Sequence, residues 1–136
     1  MERLKQQIMQ HEGLEQTAYQ CSAGKTSIGY GRNLDDKGIS QQEAEYLLEN
    51  DLIYFTDAIE RVVNLQYCNE PRKSVLINMA FNMGLNDFLD FKKTIAFVEV
   101  GDFEMAAVEM LDSLWASQVG ERAEMLSEQM LTGEWQ

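Results

Sequence analysis

The stretch that decides the reading is His11-Glu12-Gly13-Leu14-Glu15-Gln16-Thr17-Ala18-Tyr19-Gln20-Cys21-Ser22-Ala23-Gly24-Lys25-Thr26-Ser27-Ile28-Gly29-Tyr30-Gly31-Arg32-Asn33. It joins two kinds of structure. Upstream, Leu4, Ile8 and His11 recur at i, i+4 and i+7, with Met9 widening the stripe, so residues 2–11 read as a short helix stopped by Gly13. Downstream, Gly24, Gly29, Gly31 and Gly38 are interleaved with Thr17, Tyr19, Thr26, Ile28 and Tyr30. Residues that favour strands, separated by glycine turns, predict a small twisted antiparallel sheet over roughly 14–38. Glu12 therefore stands where a helix ends and a hairpin begins. Cys21 falls in the turn before the second strand and Ser27 within the hairpin, so a carboxyl, a thiol and a hydroxyl come from three neighbouring backbone segments. A glutamate at a helix end is ordinarily a solvated charge, and these residues alone carry no function.

The rest of the chain reads as helical. Ser40-Gln41-Gln42-Glu43 has the form of a capping box, with Ser40 as N-cap and Glu43 reaching back. Ala44, Leu47, Leu48, Leu52 and Phe55 then mark an apolar face continuing to about Leu65. Pro71, at a first-turn position, opens a further helix with Val75, Leu76, Met79, Ala80 and Met83 on its apolar side, ended by Gly84. Three short helices are expected near 92–100, 102–111 and 121–131, with breaks at Gly101 and Gly120. No internal repeat, low-complexity segment or linker interrupts the 136 residues. The fold class predicted is α+β and mostly helical. One domain over 1–136 is expected, with a hairpin lobe at about 13–38, a connecting helix at 40–65, and a larger helical lobe formed by 1–12 and 70–136.

Composition excludes several functions. The net charge is −12, and residues 99–136 alone carry nine acidic and one basic side chain. A nucleic-acid binder needs a cationic footprint, and none is present. Acidic faces of this kind keep a helical protein in solution. The cysteines are Cys21 and Cys68, and His11 is the single histidine, too few for a structural zinc site. A Cys21–Cys68 disulfide stays open on sequence, while two isolated cysteines fit a reducing cytosol. No run of about 18 apolar residues is present, so no transmembrane helix or membrane insertion is expected. The polar start, Met1 to Gln7, lacks the apolar core of a secretion signal.

The pattern H-E-G-x₅-Y-x-C-x₂-G-K-x-S-I-G-Y-G-R-N resembles the signature of the phage lysozyme or endolysin family, the T4 lysozyme-like muramidases of glycoside hydrolase family 24. That family spaces a catalytic Glu, eight residues, Asp or Cys, five residues, then Thr. Here the series is Glu12, Cys21, Ser27, a departure at the last position that puts the rate in question more than the fold. Further likeness follows in order: Arg72 to Gly84 resembles the central helix, with Phe88 and Phe91 after it. Asp112 to Ala123 resembles an S-x-W-x-x-Q-x-x-x-R-A block, and Thr132-Gly133-Glu134-Trp135 a terminal T-G-x-W. The resemblance implies a lysozyme-like fold with the helix at 2–11 packed into the helical lobe.

It also implies an activity: hydrolysis of the β-1,4 bond between N-acetylmuramic acid and N-acetylglucosamine in peptidoglycan, with no metal and no cofactor. Glu12 would be the acid. Cys21 and Ser27 would serve the water face of the sugar, with the Lys25 ammonium as a candidate to lower the thiol pKa. Tyr19, Gly31, Phe81, Asn82 and Arg122 would meet substrate, Arg122 lying close to Glu12. Each has a plainer reading. The glycines suit tight turns, Trp115 and Phe81 read first as core and second as sugar platforms, Asn78 reads as an internal hydrogen-bond partner, and His11 has no role in the family pattern. The implied setting is a monomer made in the host cytoplasm, released by a holin and acting on the periplasmic wall. The alternatives are a weak or inactive lysozyme-fold protein kept for binding or regulation, and a tail-associated lysozyme used at phage entry.

Overall fold

The computed structural model describes residues 1–136. The order of elements is α1 (Glu2–Glu12), β1 (Glu15–Gln20), β2 (Thr26–Gly29), β3 (Arg32–Asn33), α2 (Leu34–Lys37), α3 (Gln41–Val62), α4 (Glu70–Met83), α5 (Leu85–Leu89), α6 (Lys92–Glu99), α7 (Phe103–Leu111), α8 (Leu114–Val119) and α9 (Glu121–Thr132). The protein is thus mostly helical, with one small antiparallel sheet, as its sequence predicts. Two compact units divide at Leu47, the first Met1–Leu47 and the second Leu48–Gln136.

In the first unit, α1 closes on Gly13, whose φ of 73° suits glycine and whose amide donates to the Met9 carbonyl. The sheet has the order β1-β2-β3, both pairs antiparallel. Glu15 faces Gly29 and Tyr19 faces Ser27, with an irregularity between those pairs. Ser27 also faces Asn33, and Ile28 faces Arg32. Ser27 therefore sits on the middle strand and is buried, at 3% exposure. The short helix α2 was not foreseen, because one turn is too brief to show a periodicity. Its signal is local: Asn33 caps it by accepting from the Asp36 amide at 3.0 Å. This helix also ties down the preceding turn, since Asp35 accepts from the Thr26 amide at 2.8 Å and Asp36 from the Lys25 ammonium at 3.2 Å.

The capping box that opens α3 is formed as expected. The Glu43 amide donates to Ser40 Oγ at 3.1 Å and the Ser40 amide to Glu43 Oε1 at 2.9 Å. Glu43 also receives Arg32 Nη1 at 2.9 Å. The Arg32 contact first, and the Ser40 contacts after it, lower the Glu43 pKa to about 2. The sign of the consequence follows. A depressed carboxyl stabilises the fold above its unfolded-state value, near 4.5, and that contribution fades as pH falls toward about 2. The expected result is that urea midpoints followed between pH 5 and pH 2 fall less steeply in Glu43→Gln than in the unsubstituted protein.

The second unit is built around one apolar cluster. Ile59, Val75, Leu76, Met79, Phe88, Val98, Met110 and Met130 are fully buried, drawn from α3, α4, α5, α6, α7 and α9. Each such side chain contributes roughly 1.5–3 kcal/mol by leaving water. The helices α5 and α8 were missed for the reason that applies to α2, brevity, although Ser113 gives α8 a proper N-cap by accepting from the Ala116 amide. The expected helices at 92–100, 102–111 and 121–131 are present within a residue or two of their expected ends.

The C-terminal end of the unit is clasped to the start of α4. Asn69 caps α4 by accepting from the Arg72 amide, and its own amide group donates to the Gly133 carbonyl at 2.9 Å. Arg72 donates to the Met130 and Leu131 carbonyls, each at 2.8 Å, so it caps the C-terminus of α9 while lying 4.0 Å over the Phe103 ring. Gly133 has φ 71°, and a Cβ there would stand 2.9 Å from Arg72 Cζ. Gly133→Ala is therefore expected to destabilise the protein by more than about 1 kcal/mol in urea denaturation, since backbone strain and a displaced cap act together. An unchanged midpoint would contradict this account of the clasp.

Candidate active site

Glu12 is the last residue of α1 and is solvent-exposed. Its carboxylate rests against the turn between β2 and β3. A Cβ built on Gly31 would lie 3.4 Å from Glu12 Oε2, and Gly31 has φ 86°. Glycine at 31 thus does two things. It permits a turn that L side chains rarely adopt, and it leaves the carboxylate uncovered.

Cys21 follows β1 and starts a tight turn. Its amide donates to the Lys25 carbonyl and its carbonyl accepts from the Gly24 amide, both at 2.8 Å. The half-buried thiol is held below its ordinary pKa by the Lys25 backbone amide first and the Ala23 amide next, with a smaller contribution from the Ser27 hydroxyl. This corrects the expected cause. The Lys25 ammonium is engaged with Asp36, and it is the Lys25 main chain that favours the thiolate. Ser27, buried on the middle strand, places its hydroxyl at the thiol. Tyr19 lies opposite Ser27 on β1 and is half-buried. An open groove of 870 Å³ borders this unit's turn, with Tyr30, Gly31, Arg32, Ile39, Tyr46 and Leu47 among its lining. Glu12, Cys21, Ser27, Tyr19 and Gly31 thus all belong to the first unit. Together they offer an exposed carboxyl, a thiol biased toward its anion and a fixed hydroxyl.

Phe81, Asn82 and Arg122 belong to the second unit. Arg122 on α9 donates from Nε and Nη2 to the Oδ1 of Asn78, at 3.1 and 2.6 Å. Asn78 is therefore an internal partner. Asn82 accepts from the Trp115 indole at 2.8 Å, which leaves its amide hydrogens and the second lone pair of that oxygen for a ligand. Trp115 is core, at 7% exposure. Phe81 packs edge-on against Phe55, with ring centres 6.0 Å apart, yet keeps an exposed face. Asn78, Phe81 and Arg122 share one open groove of 490 Å³ with Ile77 and Trp135.

A sequence model of the family described as "Phage lysozyme" matches residues 9–129. The chain belongs to the phage lysozyme family. Its relatives include "Probable T4-type lysozyme 1" of Dictyostelium discoideum, 35% identical over 113 residues, which are 78% of this chain and 66% of that protein. An endolysin of Acyrthosiphon pisum secondary endosymbiont phage 1 is 29% identical over 108 residues, covering 76% of this chain and 72% of the relative. The pre-baseplate central spike protein Gp5 of Enterobacteria phage T4 is 33% identical over 99 residues, 70% of this chain but only 17% of that much longer protein. The chain thus spans about two thirds of the Dictyostelium lysozyme that it matches.

Membership of the phage lysozyme family supports a lysozyme-type function. The matched segment contains Glu12, Cys21 and Ser27 as well as Phe81, Asn82 and Arg122. Two pairings within this family member were not legible beforehand. One is Arg122 with Asn78, separated by 44 residues; the other is Arg32 with Glu43, separated by 11. Glu43 announced itself as a capping residue, but nothing in the sequence named its second partner. Both cysteines are free thiols. Cys68 differs from Cys21, because burial raises its pKa, with the Arg72 charge opposing.

Proposed function

We propose that this chain is a muramidase that hydrolyses the β-1,4 bond between N-acetylmuramic acid and N-acetylglucosamine in peptidoglycan. The observation that carries the reading is the pairing of the Cys21 thiol with Ser27 on the same small sheet whose turn borders the Glu12 carboxylate. Family membership supports the glycan strand as the substrate.

Glycoside hydrolysis needs a proton for the leaving oxygen and a group on the opposite face of the ring. Glu12 gives the proton to the glycosidic oxygen as the C–O bond lengthens, so that the sugar departs as an alcohol. Cys21 and Ser27 hold a water on the other face. The thiolate takes a proton from that water as its oxygen bonds to the anomeric carbon, and Ser27 fixes the water's direction. The product is inverted at that carbon. Gly31 lets the strand approach the acid, Tyr19 borders the same sheet, and Phe81, Asn82 and Arg122 are substrate contacts in this reading. Glu12, Cys21 and Ser27 supply every proton transfer required, so the reaction is assigned to them without a metal or cofactor.

The biological role that fits is lysis: synthesis as a monomer in the host cytoplasm, release by a holin and action on the periplasmic wall. The endolysin relative supports it. The spike relative supports a second setting for the same chemistry, within a phage particle at entry. The purified chain is expected to clear a suspension of outer-membrane-stripped Gram-negative cells. Unchanged turbidity at micromolar protein would favour the alternative in which the fold is kept for binding or regulation.

A further inference from the structure

The strand β3 is two residues long, yet its neighbours touch both halves of the proposed site. Gly31, just before it, borders the Glu12 carboxylate. Asn33, its second residue, faces Ser27 across the sheet. Arg32 lies between them, opposite Ile28. A strand this short has few ladder hydrogen bonds to fix it, so its position depends on other contacts. Asn33 ties it to Asp36 on one side, and Arg32 provides the contacts that reach α3. Its Nη1 donates to the Gly38 carbonyl at 3.2 Å and to Glu43 Oε1 at 2.9 Å. The same Glu43 oxygen accepts from the Ser40 amide at 2.9 Å. One carboxylate oxygen thus ties β3, the turn at Gly38–Ser40 and the first turn of α3 together.

We propose that the Arg32–Glu43 pair is a positioning device for the reaction: it holds β3 so that the Gly31 turn beside Glu12 and the Asn33 position beside Ser27 keep a fixed spacing. This inference rests on the muramidase reading, which supplies the two groups whose spacing matters. Neither Arg32 nor Glu43 is required to touch the sugar. The device acts through geometry, and misplacement by about 1 Å is enough to slow a reaction on the order of a hundredfold. The pair persists across working pH, since Glu43 stays ionised down to about pH 2.

A guanidinium is suited to this task because the two hydrogens of Nη1 lie in one rigid plane and hold both acceptors in a set geometry, whereas an ammonium is a point charge on a flexible stem. Arg32→Lys is therefore a graded test, Arg32→Ala a full one, and Glu43→Gln removes the charge while an amide oxygen can still accept from the Ser40 amide. Ser40→Ala is the control. It weakens the α3 cap and leaves the Arg32–Glu43 contact in place.

The experiment measures kcat and KM on a soluble peptidoglycan tetrasaccharide at a temperature where circular dichroism shows each variant folded, with Glu12→Gln in the same series. The expected result is a fall in kcat of at least about tenfold for Arg32→Ala and Glu43→Gln, about threefold for Arg32→Lys, with KM within twofold. Ser40→Ala is expected to retain kcat within twofold. If Arg32→Ala does not fold, Arg32→Lys and Glu43→Gln decide the matter on the same criteria. Three outcomes overturn the inference: kcat unchanged in the pair variants, a rise in KM alone, or an equal loss of kcat in Ser40→Ala. Failure of the inference alone is recognised by an inactive Glu12→Gln beside fully active Arg32 and Glu43 variants. A fully active Glu12→Gln would instead remove Glu12 from the acid role, and the positioning role with it, while absence of hydrolysis by the unsubstituted protein would remove the muramidase reading.

Discussion

Glu12→Gln is expected to fold as the unsubstituted protein does and to hydrolyse peptidoglycan at less than a few per cent of its rate. The amide has nearly the shape of the acid but no acidic proton to donate. Glu12 is exposed at the end of α1 and is ion-paired to no residue of its own unit. The substitution therefore breaks no buried network, and the thermal midpoint is expected to stay within a degree or two of the original, as for surface changes of about ±0.5 kcal/mol. Activity and stability are thus expected to separate cleanly. Peptidoglycan hydrolysis by the variant at a tenth of the normal rate or more would remove Glu12 from the acid role, whatever the fate of the fold.

Cys21 is the second position with a large expected effect. Cys21→Ala should lose at least about tenfold in kcat, the equivalent of about 1.4 kcal/mol of transition-state stabilisation. Cys21→Asp should remain active, because a carboxylate can hold and deprotonate the same water. Two backbone amides, from Lys25 and Ala23, aim at the thiol and lower its pKa. A limb of activity that needs the thiolate should accordingly rise with pH and lie below the range of an ordinary cysteine, and it should disappear in Cys21→Asp. The same thiolate also has the means to attack the anomeric carbon directly, which would give a thioglycosyl intermediate and a retained product. The Ser27 hydroxyl at the thiol favours water. Early-time NMR of the product is expected to show the inverted anomer, and a wholly retained one would make Cys21 the nucleophile. Full activity in Cys21→Ala would exclude it from the reaction and leave Glu12 and Ser27.

What could be read in advance has a common physical basis: it was local in sequence. The glycines at 13 and 31 and the Thr, Tyr and Ile residues between them disclosed the helix end and the hairpin, because each acts on its own backbone. The Ser40–Glu43 capping box spans three residues and was fully legible. Pro71 and Gly84 bracketed α4 in the same way. Helices of one or two turns, α2, α5 and α8, escaped because an apolar period cannot show itself over four to six residues. The side-chain contacts within each unit were hidden for a different reason. The Arg32–Glu43 pair, the Arg122–Asn78 pair and the Asn82–Trp115 hydrogen bond join segments that only the folded chain brings together. The source of the Cys21 pKa shift was hidden too. The sequence displays the Lys25 charge, but the Lys25 backbone amide acts on the thiol only once the turn has formed.

The most direct test of the central claim is the chemical identity of the ends produced. Purified peptidoglycan is digested with the protein, reduced with borohydride and analysed by mass spectrometry. A muramidase creates N-acetylmuramic acid at each new reducing end, so muramitol-terminated fragments are expected to accumulate, and to be absent when Glu12→Gln is used. New ends carrying reduced N-acetylglucosamine, or released peptides without any new reducing sugar, would contradict the account.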